Sequence, residues 1–217
     1  MGPLVISLVS VKKGSEKKFA EYGVRDSKLL SPKRREALFS TVHKLASTVK
    51  VDMISAEEIN KAMKNKISLN ELEAIHFARL FDQFDENINC LYLDSPDVIA
   101  EKFGIRVNMS SSKRTKIANV KMKLEKGKPY TKVIAEHKAD SRYPVVSAAS
   151  IIAKVTRDRE IRSIEKKLRL KIGSGYPSDV VTIDAVRKHM ANRDLFQHVR
   201  LHWSTLERIK QTKLTNF

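Results

Sequence analysis

A single cysteine, Cys90, in 217 residues excludes an internal disulfide and a cysteine-rich zinc site. It lies in an apolar run, and a chain so poor in thiol is expected in a reducing, cytoplasmic setting. Gly/Ser, Gln and Pro tracts are missing as well, which removes the compositional signature of disorder. The first apolar stretch, Leu4 to Val11, is too short to cross a bilayer and follows no basic leader. Pro3 and Ile6 stand where an N-myristoylation pattern needs other residues, so no membrane partner is expected. Acidic residues are scarce beside basic ones: 25 Asp+Glu face 42 Lys+Arg, a net charge of +17. That surplus favours a polyanionic partner, although a solvated basic surface would produce it too.

What is present suits a folded α/β or α+β chain of one domain, or one domain with an appendage. Pro3 to Val11 is predicted as a strand. Ser31 as N-cap and Pro32 at the first helical position predict a helix to about Leu45. Thr48 to Ile54 alternates as a strand, and Ser55 with Glu58 has the capping pattern of a short helix. Leu72, Ile75, Phe77, Leu80, Phe81 and Phe84 recur at helical spacing. Ile88 to Leu93 reads as a buried strand, Ser95-Pro96 opens a short helix to about Phe103, and Ile105 to Met109 reads as another strand. From Ser112 to Lys138 nine Lys/Arg stand against two Glu, a segment ending in a strand at Thr131 to Glu136. Pro144 opens the longest helix, which Gly173-Ser174-Gly175-Tyr176-Pro177 terminates. Thr182 to Met190 and Ser204 to Lys213 are predicted helices, and the chain has no internal repeat.

Asp94 and Asp140 each follow directly on a predicted strand. Carboxylates projected from neighbouring strand ends suit a hard divalent cation, magnesium or manganese, with room for phosphate and water. An aspartate that merely caps a turn is the commoner strand-end case.

Further blocks resolve that choice by resemblance. Gly2-Pro3-Leu4-Val5-Ile6, Asp26-Ser27-Lys28-Leu29-Leu30-Ser31-Pro32, Leu93-Asp94-Ser95-Pro96-Asp97-Val98, the run from Lys138-Ala139-Asp140 through Tyr143-Pro144 and Ala148-Ala149-Ser150 to Arg157-Asp158, and Gly173 to Asp179 occur in one order. Together they resemble the type 2 ribonuclease H family in its archaeal, ribonuclease HII form. The resemblance implies a five-stranded mixed sheet flanked by helices, with residues 1–172 as an α/β core and 173–217 as a helical C-terminal part. It implies endonucleolytic hydrolysis of RNA in RNA/DNA hybrids, and at ribonucleotides embedded in DNA, with 5′-phosphate and 3′-hydroxyl ends. It further implies Mg2+ or Mn2+ as cofactor, a monomer, and a place in DNA replication and repair. Asp94 and Asp140 match the third and fourth metal-binding acids. Lys28 and Ser27 match a phosphate-contacting segment, and Tyr176 matches the aromatic that packs on the sugar at the RNA-to-DNA junction. Arg157 and Asp158 are expected as a structural ion pair, and Asp97 as a helix-start residue.

One departure stands out. The family's first strand and its Asp-Glu-Ala-Gly-Arg-Gly motif, which carry two further acids, have no counterpart here. The expectation is that the chain as given is impaired and that Met1 is internal to a longer product. The alternative is a catalytically inactive nucleic-acid-binding remnant.

Overall fold

The computed structural model describes residues 1–85, 87–122, 129–202 and 206. It is an α/β structure. The strands are β1 (Leu4–Ser10), β2 (Thr48–Ile54), β3 (Cys90–Asp94), β4 (Thr115–Ile117) and β5 (Thr131–Glu136). The helices are α1 (Lys17–Glu21), α2 (Pro32–Leu45), α3 (Ala56–Lys64), α4 (Leu69–Asp82), α5 (Ala100–Ser110), α6 (Ala139–Arg142), α7 (Pro144–Leu168), α8 (Val180–Lys188) and α9 (Arg193–Phe196). The chain forms two compact units: Met1–Val5, Met53–Leu69 and Thr156–Phe217 make one, Ile6–Asp52 and Asn70–Val155 the other.

In the second unit, β5 is flanked by β3 and β4, both parallel to it, in the register Leu91↔Val133, Leu93↔Ala135, Asp94↔Glu136 and Ile117↔Val133. β1 pairs with β2. The five strands therefore form two sheets among the described residues, where the resemblance implied one, because no described strand bonds the pair to the trio. Their side chains still share a core. Leu91 and Leu93 of β3, Val133 of β5 and Ile117 of β4 cluster with Ile6 and Leu8 of β1 against Ala74, Ala78 and Phe81 of α4 and Phe103 and Val107 of α5. Alternate residues of β3 are buried, as a half-covered strand requires. A second cluster joins Phe19, Val24, Leu38 and Val42 to Ala148, Ile151, Ile152 and Val155 of α7.

The cap chemistry of α2 and α3 follows the sequence closely. The Ser31 hydroxyl accepts the Arg34 amide with Pro32 in the first turn, and Ser55 accepts the Glu58 amide. The strand expected at Ile105 to Met109 is instead the body of α5. Phe103 and Val107, four residues apart, are buried on one helix face, whereas Met109 is 78% exposed, so the apparent alternation was not a buried face. Gly104 completes that face: a Cβ there would sit 3.3 Å from Ala135 Cβ and 3.4 Å from Ile117 Cγ2. The same helix starts at Ala100 rather than at Ser95-Pro96.

In the first unit, Met1, Ile161, Ile164, Ile172, Val186, Leu195, Val199 and Leu206 form one core. α7 ends at Leu168, before the expected glycine turn, where Arg169 takes a left-handed φ of 53°. Except for Leu206, the helix expected at Ser204 to Lys213 lies outside the described residues. So do residues 123–128 of the basic segment from Ser112 to Lys138. Among the described residues, no helix is long and apolar enough to cross a membrane.

Candidate metal and nucleic-acid site

Because β3 and β5 run parallel, their C-terminal ends emerge side by side. Asp94 is the last residue of β3. Beyond β5 the chain turns sharply at Lys138, in the left-handed region at φ 55°, and α6 begins with Asp140 in its first turn. The Ala139 amide donates to Asp94 Oδ1 at 3.0 Å, so the residue beside Asp140 is bonded to Asp94 itself. The Ser147 hydroxyl of α7 donates to the Asp140 carbonyl and locks the turn from behind. Sequence spacing left open whether the two aspartates meet; the parallel register and this hydrogen bond bring them together.

Their environments differ. Asp140 is buried, at 3% exposure, while Asp94 faces outward. Asp140 Oδ2 lies 3.5 Å from Lys28 Nζ, and its other oxygen, Oδ1, is buried without a hydrogen-bond partner. A buried carboxylate oxygen with no donor is costly unless a ligand completes it. Partial burial pushes the Asp94 carboxyl above its ordinary value; the Asp140 charge pushes the same way, against the Ala139 amide and Lys28. Both carboxylates therefore favour a cation. The donor set of all-oxygen ligands next to a free lone pair fits a hard divalent ion, with Asp94 and Asp140 as the residues to hold it. Among the described residues no group of three or more His, Cys, Asp or Glu converges on one point.

Lys28 reaches Asp140 from a short 3-10 turn, Ser27–Leu29, which the Asp26 carboxylate caps by accepting the Lys28 amide at 2.9 Å. The Lys28 side chain is otherwise exposed. Ser27 is wholly buried, so it does not face solvent directly. Its hydroxyl meets Ser150 Oγ at 2.9 Å and receives Lys154 Nζ at 2.5 Å; Lys154 also donates to Ser150 at 3.0 Å. Burial, with Lys28 nearby, pushes the Lys154 ammonium below its ordinary value. Sequence reasoning included Ser150 and Lys154 in a family-like block but assigned neither a role. Their i, i+4 spacing on α7 was the available signal, since it sets both on the same helix face.

Asp97 is not at a helix start. It stands three residues before α5, buried, and accepts from Arg106 Nε at 3.1 Å and from the Asn70 side chain at 2.6 Å. Arg106 also pairs with Glu71. This network ties down the loop that follows Asp94.

Tyr176 belongs to the other unit and is 41% exposed. Its turn is held at several points. Glu165 Oε1 accepts the amides of Ile172 and Gly173, Asp179 Oδ2 accepts the amide and hydroxyl of Ser174, and Thr182 Oγ1 accepts the Gly175 amide at 2.9 Å. The two Ser174 donors hold the Asp179 carboxyl down to about 2. Arg157 forms the expected pair with Asp158 at 3.8 Å, but its guanidinium also lies over the Tyr176 ring, 3.9 Å from the centroid, which the sequence did not disclose.

Comparison with known proteins identifies the family. The sequence model of the family Ribonuclease HII matches residues 1–206. A Ribonuclease HII from Thermoplasma volcanium is 41% identical over 212 residues, covering 97% of this chain and 87% of its own. The crystal structure of ribonuclease H2 from Pyrococcus horikoshii OT3 matches with a TM-score of 0.78 at 33% identity, over 98% of this chain and 92% of that one. The Archaeoglobus fulgidus RNase HII, solved in its PCNA complex, matches with a TM-score of 0.80 at 33% identity, over 100% and 94%. Matched over nearly its whole length in both sequence and fold, the chain belongs to the Ribonuclease HII family, nucleases that hydrolyse RNA in RNA/DNA hybrids.

Proposed function

We propose that the chain cuts RNA in RNA/DNA hybrids, and DNA duplexes at embedded ribonucleotides, leaving 5′-phosphate and 3′-hydroxyl ends, with Asp94 and Asp140 as metal-holding acids. The observation that carries this is the buried, donor-free Oδ1 of Asp140 beside a second carboxylate. A divalent ion, Mg2+ or Mn2+, supplies Lewis-acid polarisation of the phosphate and an activated water when bound there.

The chain's own groups do the rest. The Ala139 amide fixes one oxygen of Asp94 and so orients its carboxylate. Lys28, exposed and 3.5 Å from Asp140, offsets the carboxylate charge and meets an incoming phosphate. Ser27 serves the same phosphate through Lys154, whose ammonium it holds. Tyr176 presents its exposed ring to the sugar at the RNA-to-DNA junction. PCNA, the partner in the Archaeoglobus structure, is proposed as a partner here too, for a protein that is otherwise a monomer in the cytoplasm. Co-elution with PCNA in gel filtration tests both statements.

The decisive experiment incubates the chain, Asp94→Asn and Asp140→Asn with an RNA/DNA hybrid and with a duplex carrying one ribonucleotide, in Mg2+ or Mn2+. Expected are cuts with 5′-phosphate ends in the parent and none in either variant, with duplex binding retained. Cleavage indifferent to both substitutions overturns the assignment of the acids. A duplex that is bound and never cut by the parent marks a binding remnant.

A further inference from the structure

Arg157 is more than half of an ion pair. It sits on α7 with 8% exposure, and its nearest carboxylate, Asp158, is 3.8 Å away, a loose contact for a guanidinium taken out of water. Its close contacts are to the turn that carries Tyr176 and to the backbone of Met1. Arg157 Nη1 donates to the Ser174 carbonyl at 3.0 Å, Nη2 donates to the Met1 carbonyl at 3.4 Å, and the guanidinium carbon lies 3.9 Å from the Tyr176 ring centroid. That distance is well inside the range over which a guanidinium stacks on an aromatic face. Gly175, at φ 75°, makes the approach possible. A Cβ there would lie 2.9 Å from Arg157 Nη2 and 3.1 Å from the Met1 carbonyl oxygen.

We infer that Arg157 is the positioning residue for Tyr176: its plane backs one face of the ring, so that only the opposite face and the phenol edge are offered to substrate. The inference rests on the reading of Tyr176 as the sugar-contacting aromatic. An exposed tyrosine at a tight turn would otherwise sample several rotamers, and the ordering cost would fall on binding. The turn's backbone has separate supports in Glu165, Asp179 and Thr182. Loss of Arg157 therefore frees the ring while those bonds persist.

The test measures anisotropy of two labelled duplexes, one with a single ribonucleotide and one of DNA only, in Ca2+, with the parent, Tyr176→Ala, Arg157→Met, Arg157→Lys and the Tyr176→Ala/Arg157→Met pair. NMR of the parent supplies an independent readout, because a ring stacked on the guanidinium shifts the Arg157 Nε–H signal upfield. Expected is a fall in the affinity ratio for the ribonucleotide duplex of roughly threefold to tenfold in Arg157→Met. Tyr176→Ala should fall at least as far, Arg157→Lys should lie between Arg157→Met and the parent, and the pair should be no worse than Tyr176→Ala. A ratio unchanged in Arg157→Met and Arg157→Lys, whatever their melting temperature, overturns the inference, as does a loss in the pair that adds to that of Tyr176→Ala. If Tyr176→Ala itself leaves the ratio unchanged, the sugar-reading role fails; an unshifted Arg157 signal would then show that the positioning contact is absent as well.

Discussion

Replacing Thr182 by valine exchanges one hydroxyl for a methyl of similar size in a side chain with no exposure. That hydroxyl donates to the Ile172 carbonyl at 2.8 Å and accepts the Gly175 amide at 2.9 Å, both in buried surroundings. Valine leaves an N–H and a C=O unpaired where water has no access. Each such group costs about 1–3 kcal/mol, so the pair should cost about 2–6 kcal/mol. Serine at the same position keeps the hydroxyl and loses one buried methyl, worth about 1 kcal/mol. With a urea m-value of about 2 kcal/mol/M, the valine variant's midpoint should fall by about 1–3 M and the serine variant's by about 0.5 M. Urea unfolding at 25 °C, followed by circular dichroism with the m-value checked for constancy, reads both. A valine midpoint at or above the serine midpoint would refute the claim that this hydroxyl ties the Tyr176 turn to α8.

Three other outcomes are expected. The folded-state Asp94 carboxyl titrates above its ordinary 3.8, so the native chain binds that proton more tightly than the unfolded one; stability should fall as pH rises through the window just above 3.8 and stay lower at neutrality. Asp94→Asn should therefore raise the melting temperature at pH 7 and leave it nearly unchanged at pH 3, and saturating Mg2+ should reverse the order at pH 7 by stabilising only the parent. At Gly104, valine should overpack the contact with Ala135 and Ile117 and cost about 1–3 kcal/mol in thermal melts, while alanine, with about 1 kcal/mol of helix propensity in its favour, should be near neutral. Lys28→Ala should lower the slope of log K against log salt for hybrid binding by about 0.7–0.9, one phosphate contact, and an unchanged slope would remove Lys28 from the phosphate.

The elements that announced themselves were those whose signals are local. Ser31-Pro32 and Ser55 cap helices through atoms within three residues, so the caps of α2 and α3 were legible, as were the ends of β2 and β5. α5 was misread because Ile105, Val107 and Met109 alternate in a stretch too short for period alone to arbitrate; what decides it is Gly104 against Ala135, a contact across 31 positions. β4, three residues long, carried no pattern to find. Asp94, Asp140, Lys28 and Ser27 of the second unit, and Tyr176 of the first, were nameable by resemblance, but their contacts were not. That Ser27 is buried under Lys154, or that Arg157 lies on Tyr176, depends on helix α7 meeting two distant turns, at separations of 127 and 19 residues that no periodicity encodes.

The charged groups gathered near Asp140 in the second unit are of both signs, and that combination narrows what ligand suits them. Asp140 Oδ1 has no donor, and burial pushes the Asp94 carboxyl upward, which calls for positive charge. Lys154 is held between two serine hydroxyls with its ammonium pushed downward by burial and by Lys28, which calls for negative charge. A lone cation would relieve the acids and further repel Lys28 and Lys154. A lone anion would relieve the lysines and raise the Asp94 carboxyl higher. Only a ligand that brings a cation to the carboxylates and an anion to the ammonium groups together relieves all four, and a divalent ion bound with a nucleic-acid phosphate has that charge distribution. Binding of metal and of duplex should accordingly be mutually reinforcing, with each partner's affinity raised by the same factor in the presence of the other. Calorimetric titration of Mg2+ with and without bound duplex measures that factor in Lys28→Ala and in the parent; equal factors in the two would mean that the lysines and the acids do not act on one ligand.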